Sequence, residues 1–325
     1  MVKFGIIGAG DIANVFAEAL NAMGGEAYAV ASRDYHKATE FKQRHGFTKA
    51  YGSYEAMLED PEVDCVYIAT PHALHETHMM LALSYDKHVL CEKPFTLNEA
   101  QAQSVFRMAK EKKRFVMEAM WTRFLPVIKA LQQLINSGVI GDVTKITCDF
   151  CFDLLQGKAP KSRLLDLELG AGALLDIGIY NITFATLFLG LPQRVESRVV
   201  LHAHGMDETD DITFYYPNAV AHLYASISEY KPTDGFIYGT KGRIKVFDFF
   251  RTEKAEVYDL SGNLIQTIAH PHMRNGFEYE ILEVIECINH GKLESDVMSH
   301  QESRNILKLM DALRADWNLT YPNEF

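Results

Sequence analysis

Short apolar runs alternate with stretches of helical periodicity through the first third of the chain. "KFGII" at 3–7, "AYAVAS" at 27–32, "DCVYIA" at 64–69, "HVLCE" at 88–92 and "FVME" at 115–118 are brief and nearly continuous. The segments between them repeat apolar residues every three or four positions. Buried strands separated by helices predict a parallel sheet with helices on both faces. Beyond a helix over 126–137, ended by Gly138, the pattern changes to "VTKITCDF", "QRVESRVVLHAH", "DITFYYP", "AVAHLYASI", "FIYGT", "GRIKVF", "AEVYDL" and "NLIQTI". Turns such as "YPNA" and "DLSGN" separate several of these runs and helices separate few, which predicts antiparallel pairing. Two amphipathic helices, "FEYEILEVIECINHG" and "HQESRNILKLMDALRADW", close the chain.

At 325 residues the chain exceeds the size at which one core stops growing, so two domains are expected. The formal charge of −11 argues against nucleic acid or an anionic membrane as partner, because both require a basic face. No run reaches about eighteen uninterrupted apolar residues, and "MVKFGIIGAGDIA" begins as a strand, so the expected location is cytoplasmic. Five cysteines over this length do not form a disulfide framework. Cys148 and Cys151 lie in a strand pattern that sends them to opposite faces, and no second C-x-x-C completes a zinc set.

Chemistry enters at "GIIGAGDIANVFAEAL", where a strand runs through a glycine turn into a helix. Gly8 permits the turn, Gly10 admits a pyrophosphate to the backbone, Ala13 allows close helix–strand packing, and Asp11 and Ile12 open a helix whose N-terminus favours anions. The first domain, residues 1–122, is therefore read as a doubly wound Rossmann domain. Its ligand is expected beyond the strand ends, at Ser32 and Arg33, Thr70, Pro71 and His72, and Glu92 and Lys93. Ser32 with Arg33 suits a 2′-phosphate, with Lys37 and His36 as further contacts, and favours NADP. Asp34, one residue on, keeps NAD open through the ribose hydroxyl. His72, His75 and His78 resemble a metal series, but positions i and i+6 of a helix differ by about 240°, so no metal is expected. They are read as surface or cofactor-facing groups.

"LCEKPFTLN" sets Lys93 beside the expected nicotinamide position, with Glu92 or a substrate oxygen to offset its charge and Asn98 as the next helix cap. "GAGALLDIGIYNITF" at 170–184 places Asp176 and Tyr180 four residues apart, on one face if helical. A satisfied core pair and a catalytic pair both fit that spacing.

With the G-x-G-x-x-A turn, "EKP" and "DIGIY", the chain resembles the glucose–fructose oxidoreductase/inositol dehydrogenase (GFO/IDH/MocA) family. "FVMEAMWTRFLP" and "GAGALLDIGIY" are similar to its dihydrodiol dehydrogenase and NADP-dependent D-xylose dehydrogenase branch. The resemblance implies a second α+β domain over 123–325 on a large, mostly antiparallel open sheet, with the last helix able to return to the first domain. It implies a homodimer through that sheet. It further implies Lys93 and Tyr180 as catalytic with Asp176 beside them, Trp121 and Arg123 at the substrate, and oxidation of a sugar, polyol or cyclic trans-dihydrodiol. Tyr180 would act as acid/base, its phenol, ordinarily near pKa 10, lowered by the Lys93 charge. A non-catalytic NADP sensor, and one cofactor shuttling between two sugars, stay open at this point.

Overall fold

The computed structural model describes residues 2–155, 163–322 and 324. By their internal contacts these form two compact units, Met1–Trp121 with His272–Leu307, and Thr122–Pro271 with Lys308–Phe325.

In the first unit the predicted alternation is realised. β1 (Lys3–Ile7), α1 (Asp11–Ala22), β2 (Glu26–Ala31), α2 (Tyr35–His45), β3 (Lys49–Tyr51), α3 (Tyr54–Leu58), β4 (Cys65–Ile68), α4 (His75–Ser84), β5 (His88–Glu92), α5 (Glu99–Lys112) and β6 (Val116–Ala119) follow in order. The six strands are parallel in the order β3-β2-β1-β4-β5-β6, so the chain reverses its winding between β1 and β4. The central strands are buried on both faces, which is why "CVYI" and "HVLCE" read as continuous apolar runs. Asn98 caps α5 by accepting from the Gln101 N–H at 2.9 Å.

The second unit opens with α6 (Pro126–Asn136), β7 (Val143–Cys151) and, after the segment 156–162, a π-helical turn (Leu174–Gly178) that runs directly into α7 (Ile179–Leu189). Its remaining strands are β8 (Arg194–Leu201), β9 (Asp207–Tyr215), β10 (Val220–Ser226), β11 (Gly235–Gly239), β12 (Gly242–Val246), β13 (Lys254–Asp259) and β14 (Leu264–Ala269). They form one eight-stranded sheet, β14-β13-β12-β11-β7-β10-β9-β8, antiparallel except where β7 pairs with β10. The stretch Leu167–Leu189 is apolar and long enough to span a bilayer, but most of it is buried within this unit.

α8 (Glu278–Asn289) and α9 (His300–Trp317) complete the chain. The sequence reading assigned everything after 122 to the second domain, apart from a possible return of the last helix. Here α8 and the start of α9 join the first unit. The approach to α8 is tied to α1 by Asn275 Nδ2 donating to the Val15 carbonyl at 2.9 Å and by Arg274 bridging to Glu18 at 2.7 Å. All five cysteines are free and buried, Cys148 and Cys151 among them.

Candidate active site

The residues read as cofactor contacts all belong to the first unit. Gly8 has φ +103°, and a Cβ there would stand 2.7 Å from the Ala69 carbonyl oxygen, so the turn admits no side chain. Gly10 differs: its backbone is extended, and a Cβ would meet no protein atom within 4 Å. No side chain caps α1 at Gly10, so the first N–H groups, those of Asp11 and Ile12 among them, are left to an anion. This open cradle, which a single methyl would fill, fits a pyrophosphate. Gly10→Ala is therefore expected to leave Tm within about 1 °C while weakening nicotinamide-cofactor binding by about tenfold or more, read by calorimetry beside thermal melts. Equal affinity would remove Gly10 from the site.

At the end of β2, Ser32 is half-buried and Arg33, His36 and Lys37 are exposed. Arg33 lies near the Tyr54 phenol, whose ring meets that of His78 edge-on at 4.9 Å. Asp34 caps α2, its Oδ1 accepting from the His36 and Lys37 N–H groups at 3.0 and 3.4 Å.

Of the reading of the histidines as surface or cofactor-facing groups, the surface alternative is corrected. His72, His75 and His78 are all buried, at 6%, 0% and 8% exposure, because the loops after β4 and β5 close over them. His75 Nδ1 lies 2.8 Å from the Pro94 carbonyl oxygen and Nε2 2.8 Å from that of Thr70. His78 Nδ1 pairs with Thr70 Oγ1 at 2.9 Å. Among the described residues no three His, Cys, Asp or Glu side chains converge in a metal-holding group.

Lys93 follows β5 directly, joined to Pro94 by a cis peptide. Glu92 is buried and accepts from the Tyr67 hydroxyl, whose ring stacks on Phe16 at 3.8 Å. Beside it lies Glu280 of α8, which the sequence reading did not single out. It has no exposure and no hydrogen-bond partner on either carboxyl oxygen, and burial with the Glu92 charge pushes its carboxyl well above the usual range. Glu118 Oε1 accepts from the Phe95 N–H at 2.9 Å and fixes the turn that Lys93 begins. Trp121 is buried against Phe277, ring centroids 4.7 Å apart.

The second unit holds Arg123, Asp176 and Tyr180, each less than a tenth exposed. Asp176 lies in the π-helical turn and Tyr180 in the first turn of α7, so the pair spans a wider turn than an α-helix provides. Arg163 reaches Asp176 Oδ1 with both terminal nitrogens at 3.4 Å. Phe150 and Phe250 flank the Tyr180 ring at 5.4 and 5.8 Å.

Beneath this turn lies a buried acid pair, also absent from the sequence reading. Asp207 Oδ2 accepts from the Leu174 N–H, while its Oδ1 and both carboxyl oxygens of the neighbouring Asp210 are buried without a hydrogen-bond partner. Burial pushes Asp207 up to about 6, and burial with the Asp207 charge pushes Asp210 well above its ordinary range.

Residues 2–120 match an oxidoreductase family described as having an NAD-binding Rossmann fold, and residues 128–245 match the GFO/IDH/MocA C-terminal domain. Among curated relatives, the trans-1,2-dihydrobenzene-1,2-diol dehydrogenase of Xenopus tropicalis is 34% identical over 335 residues, covering 98% of this chain and 99% of its own. That of Homo sapiens is 32% identical over 334 residues, covering 99% of each. Among solved structures, the 3-ketoreductase KijD10 from Actinomadura kijaniata, in complex with NADP and TDP-benzene, superposes with TM-score 0.85 at 26% identity over 97% of both chains. These matches define an NAD(P)-dependent oxidoreductase acting on CH–OH groups. The chain belongs to the GFO/IDH/MocA oxidoreductase family.

Proposed function

We propose that the enzyme transfers a hydride between NADP and a ring carbon bearing hydroxyl or carbonyl, in a sugar, polyol or cyclic trans-dihydrodiol. The bound nicotinamide supplies the hydride acceptor or donor. Gly8, Gly10, Asp11, Ile12, Ser32, Arg33, Lys37, Thr70, Pro71, His72, His75 and Glu92 are the residues that would form its surroundings. Tyr180 takes the proton from the substrate hydroxyl and returns it in the reverse direction. Lys93 steadies the developing oxyanion, and Asp176 orients a neighbouring hydroxyl. Trp121 and Arg123 are read as substrate contacts. The observation that carries this reading is that Asp176 and Tyr180 occupy the junction of a π-turn and an α-helix in an otherwise apolar, buried segment. The Phe150 and Phe250 rings beside Tyr180 support a substrate that presents an apolar ring face.

NADP is preferred in this reading because Asp34 spends Oδ1 on capping α2, while Arg33 stays exposed at the end of β2. Arg33→Ala is expected to raise the Kd for NADP by about 10- to 100-fold, the loss of one charge-assisted contact, and to leave NAD within about twofold. Equal losses for both cofactors would refute the assignment. The function itself is tested by reduced-nicotinamide absorbance with NADP and NAD against D-xylose, D-glucose, myo-inositol, a trans-dihydrodiol and a set of acyclic alcohols. Turnover of a ring diol supports the reading; turnover confined to acyclic alcohols overturns it.

We also read the protein as a cytoplasmic homodimer. Val200 and Leu201 on β8, and Leu264 and Ile265 on β14, are exposed apolar residues at the two edges of the open sheet, which supports a partner there. Light scattering tests it.

A further inference from the structure

His75 has no part in the proton and hydride steps, yet its geometry is demanding. The side chain has no exposed surface, and each ring nitrogen faces a peptide carbonyl at 2.8 Å: Nδ1 that of Pro94, Nε2 that of Thr70. A carbonyl oxygen only accepts. A neutral imidazole carries one N–H, so it would meet one carbonyl with a donor and the other with a lone pair, at a separation where two acceptors repel. Only the imidazolium donates at both ends.

We propose that His75 is held as a buried imidazolium whose two N–H groups tie the Thr70 carbonyl, after β4, to the Pro94 carbonyl, next to Lys93, making it the positioning residue for Lys93. The proposal rests on the role read for Lys93 above. The strap fixes the backbone on which Lys93 stands and, at its other end, the Thr70–Pro71 stretch expected beside the cofactor. Charge-assisted hydrogen bonds are the stronger kind, which suits two loops held to a fixed separation. A neutral ring would release one of the two carbonyls and leave it unsatisfied.

The groups facing this charge come from several elements. His72 stands 5.8 Å away, ring to ring, and His78 follows on α4. Glu92 and Lys93 lie at the end of β5, and Glu118 of β6 binds the same turn through the Phe95 N–H. Burial pushes the His78 imidazole down to about 4, so it stays neutral beside this strap.

The test is two-bond proton–nitrogen correlation on the full-length protein with ¹⁵N-labelled histidine, beside kinetics of His75→Gln and Lys93→Met. At pH 8, where an ordinary histidine is neutral, one ring is expected to keep both nitrogens protonated, and its signal should vanish in His75→Gln. A glutamine amide donates from a single nitrogen, so it cannot span two carbonyls that face opposite ends of the ring. His75→Gln is therefore expected to lose about 10²-fold in kcat with KM within threefold, the signature of a misplaced catalytic group. A ring pattern with one unprotonated nitrogen for His75 overturns the proposal, as does unchanged kcat in a folded His75→Gln. Should that variant not fold, the wild-type spectrum decides: no doubly protonated ring at pH 8 refutes the proposal. Full turnover by Lys93→Met would instead refute the role of Lys93, an outcome the spectrum is independent of.

Discussion

Tyr180→Phe is expected to lower kcat by about 10²- to 10⁴-fold, the contribution of a positioned acid/base, with the NADP Kd within twofold of wild type. The change removes one oxygen and keeps the ring that packs on Phe150 and Phe250, so the side chain's volume is preserved. Losing the hydroxyl's hydrogen bonding costs about 1 kcal/mol of stability, too little to unfold the protein. The glycine cradle belongs to the other compact unit and keeps its anion-binding N–H groups. Stopped-flow hydride transfer and cofactor titration separate these effects. If Tyr180 and Lys93 act on one proton and one oxyanion, the double variant Lys93→Met/Tyr180→Phe should be about as slow as the slower single variant, because groups that act as a unit are not additive. Wild-type kcat in Tyr180→Phe would end the acid/base assignment. Full additivity in the double variant would mean that the two residues serve separate steps.

What the sequence could and could not disclose follows from which interactions are local. The strand–glycine turn–helix at 3–20 is local, and so are the parallel strands written as apolar runs and the Asn98 cap; each was readable residue by residue. Asp34 was equally readable as a helix cap from the helical pattern that follows it, but its position after β2 drew the reading toward a ribose contact. The burial of the histidines was hidden for a different reason. His72 stands in a 3₁₀ turn ahead of α4, outside the helical arithmetic, and the turn after β5 that covers His75 lies about 20 residues away. The π-turn at 174–178 has no residue code of its own; its widened register is held by Asp207, 33 positions on. The acids behind the site did leave traces. Asp210 shares strand parity with the buried Ile212 and Phe214, and Glu280 shares a helix face with Phe277, Ile281 and Val284. A carboxylate written into an apolar stripe marks a site whose partners only the fold supplies.

Gly172→Ala is expected to be the most damaging single methyl in the second unit. Gly172 has φ +131°, where an L side chain is strained by about 1–2 kcal/mol, and its Cβ would stand 2.0 Å from Asp207 Oδ1 and 2.9 Å from that residue's Cγ. Asp207 has no room to retreat. It has no exposed surface, the buried Asp210 lies beside it, and Tyr321, fully buried, lies close enough that the Asp207 and Asp210 charges help push its phenol upward. Moving the carboxylate strips the Leu174 N–H of its acceptor, a further 1–3 kcal/mol by the usual cost of a buried unpaired group, roughly. Together these come to about 2–5 kcal/mol, or a fall in Tm of about 5–15 °C for a unit of this size. Because the same turn carries Asp176 and feeds α7, kcat should fall even well below the melting range, while NADP still binds the first unit. A Tm within 1 °C of wild type would refute the close approach. The clash and the backbone strain are separated by a second change: Asp207→Ser in the Gly172→Ala background withdraws Oδ1 and should recover part of the lost Tm if the clash contributes. No recovery would leave the left-handed backbone at Gly172 as the larger part of the loss.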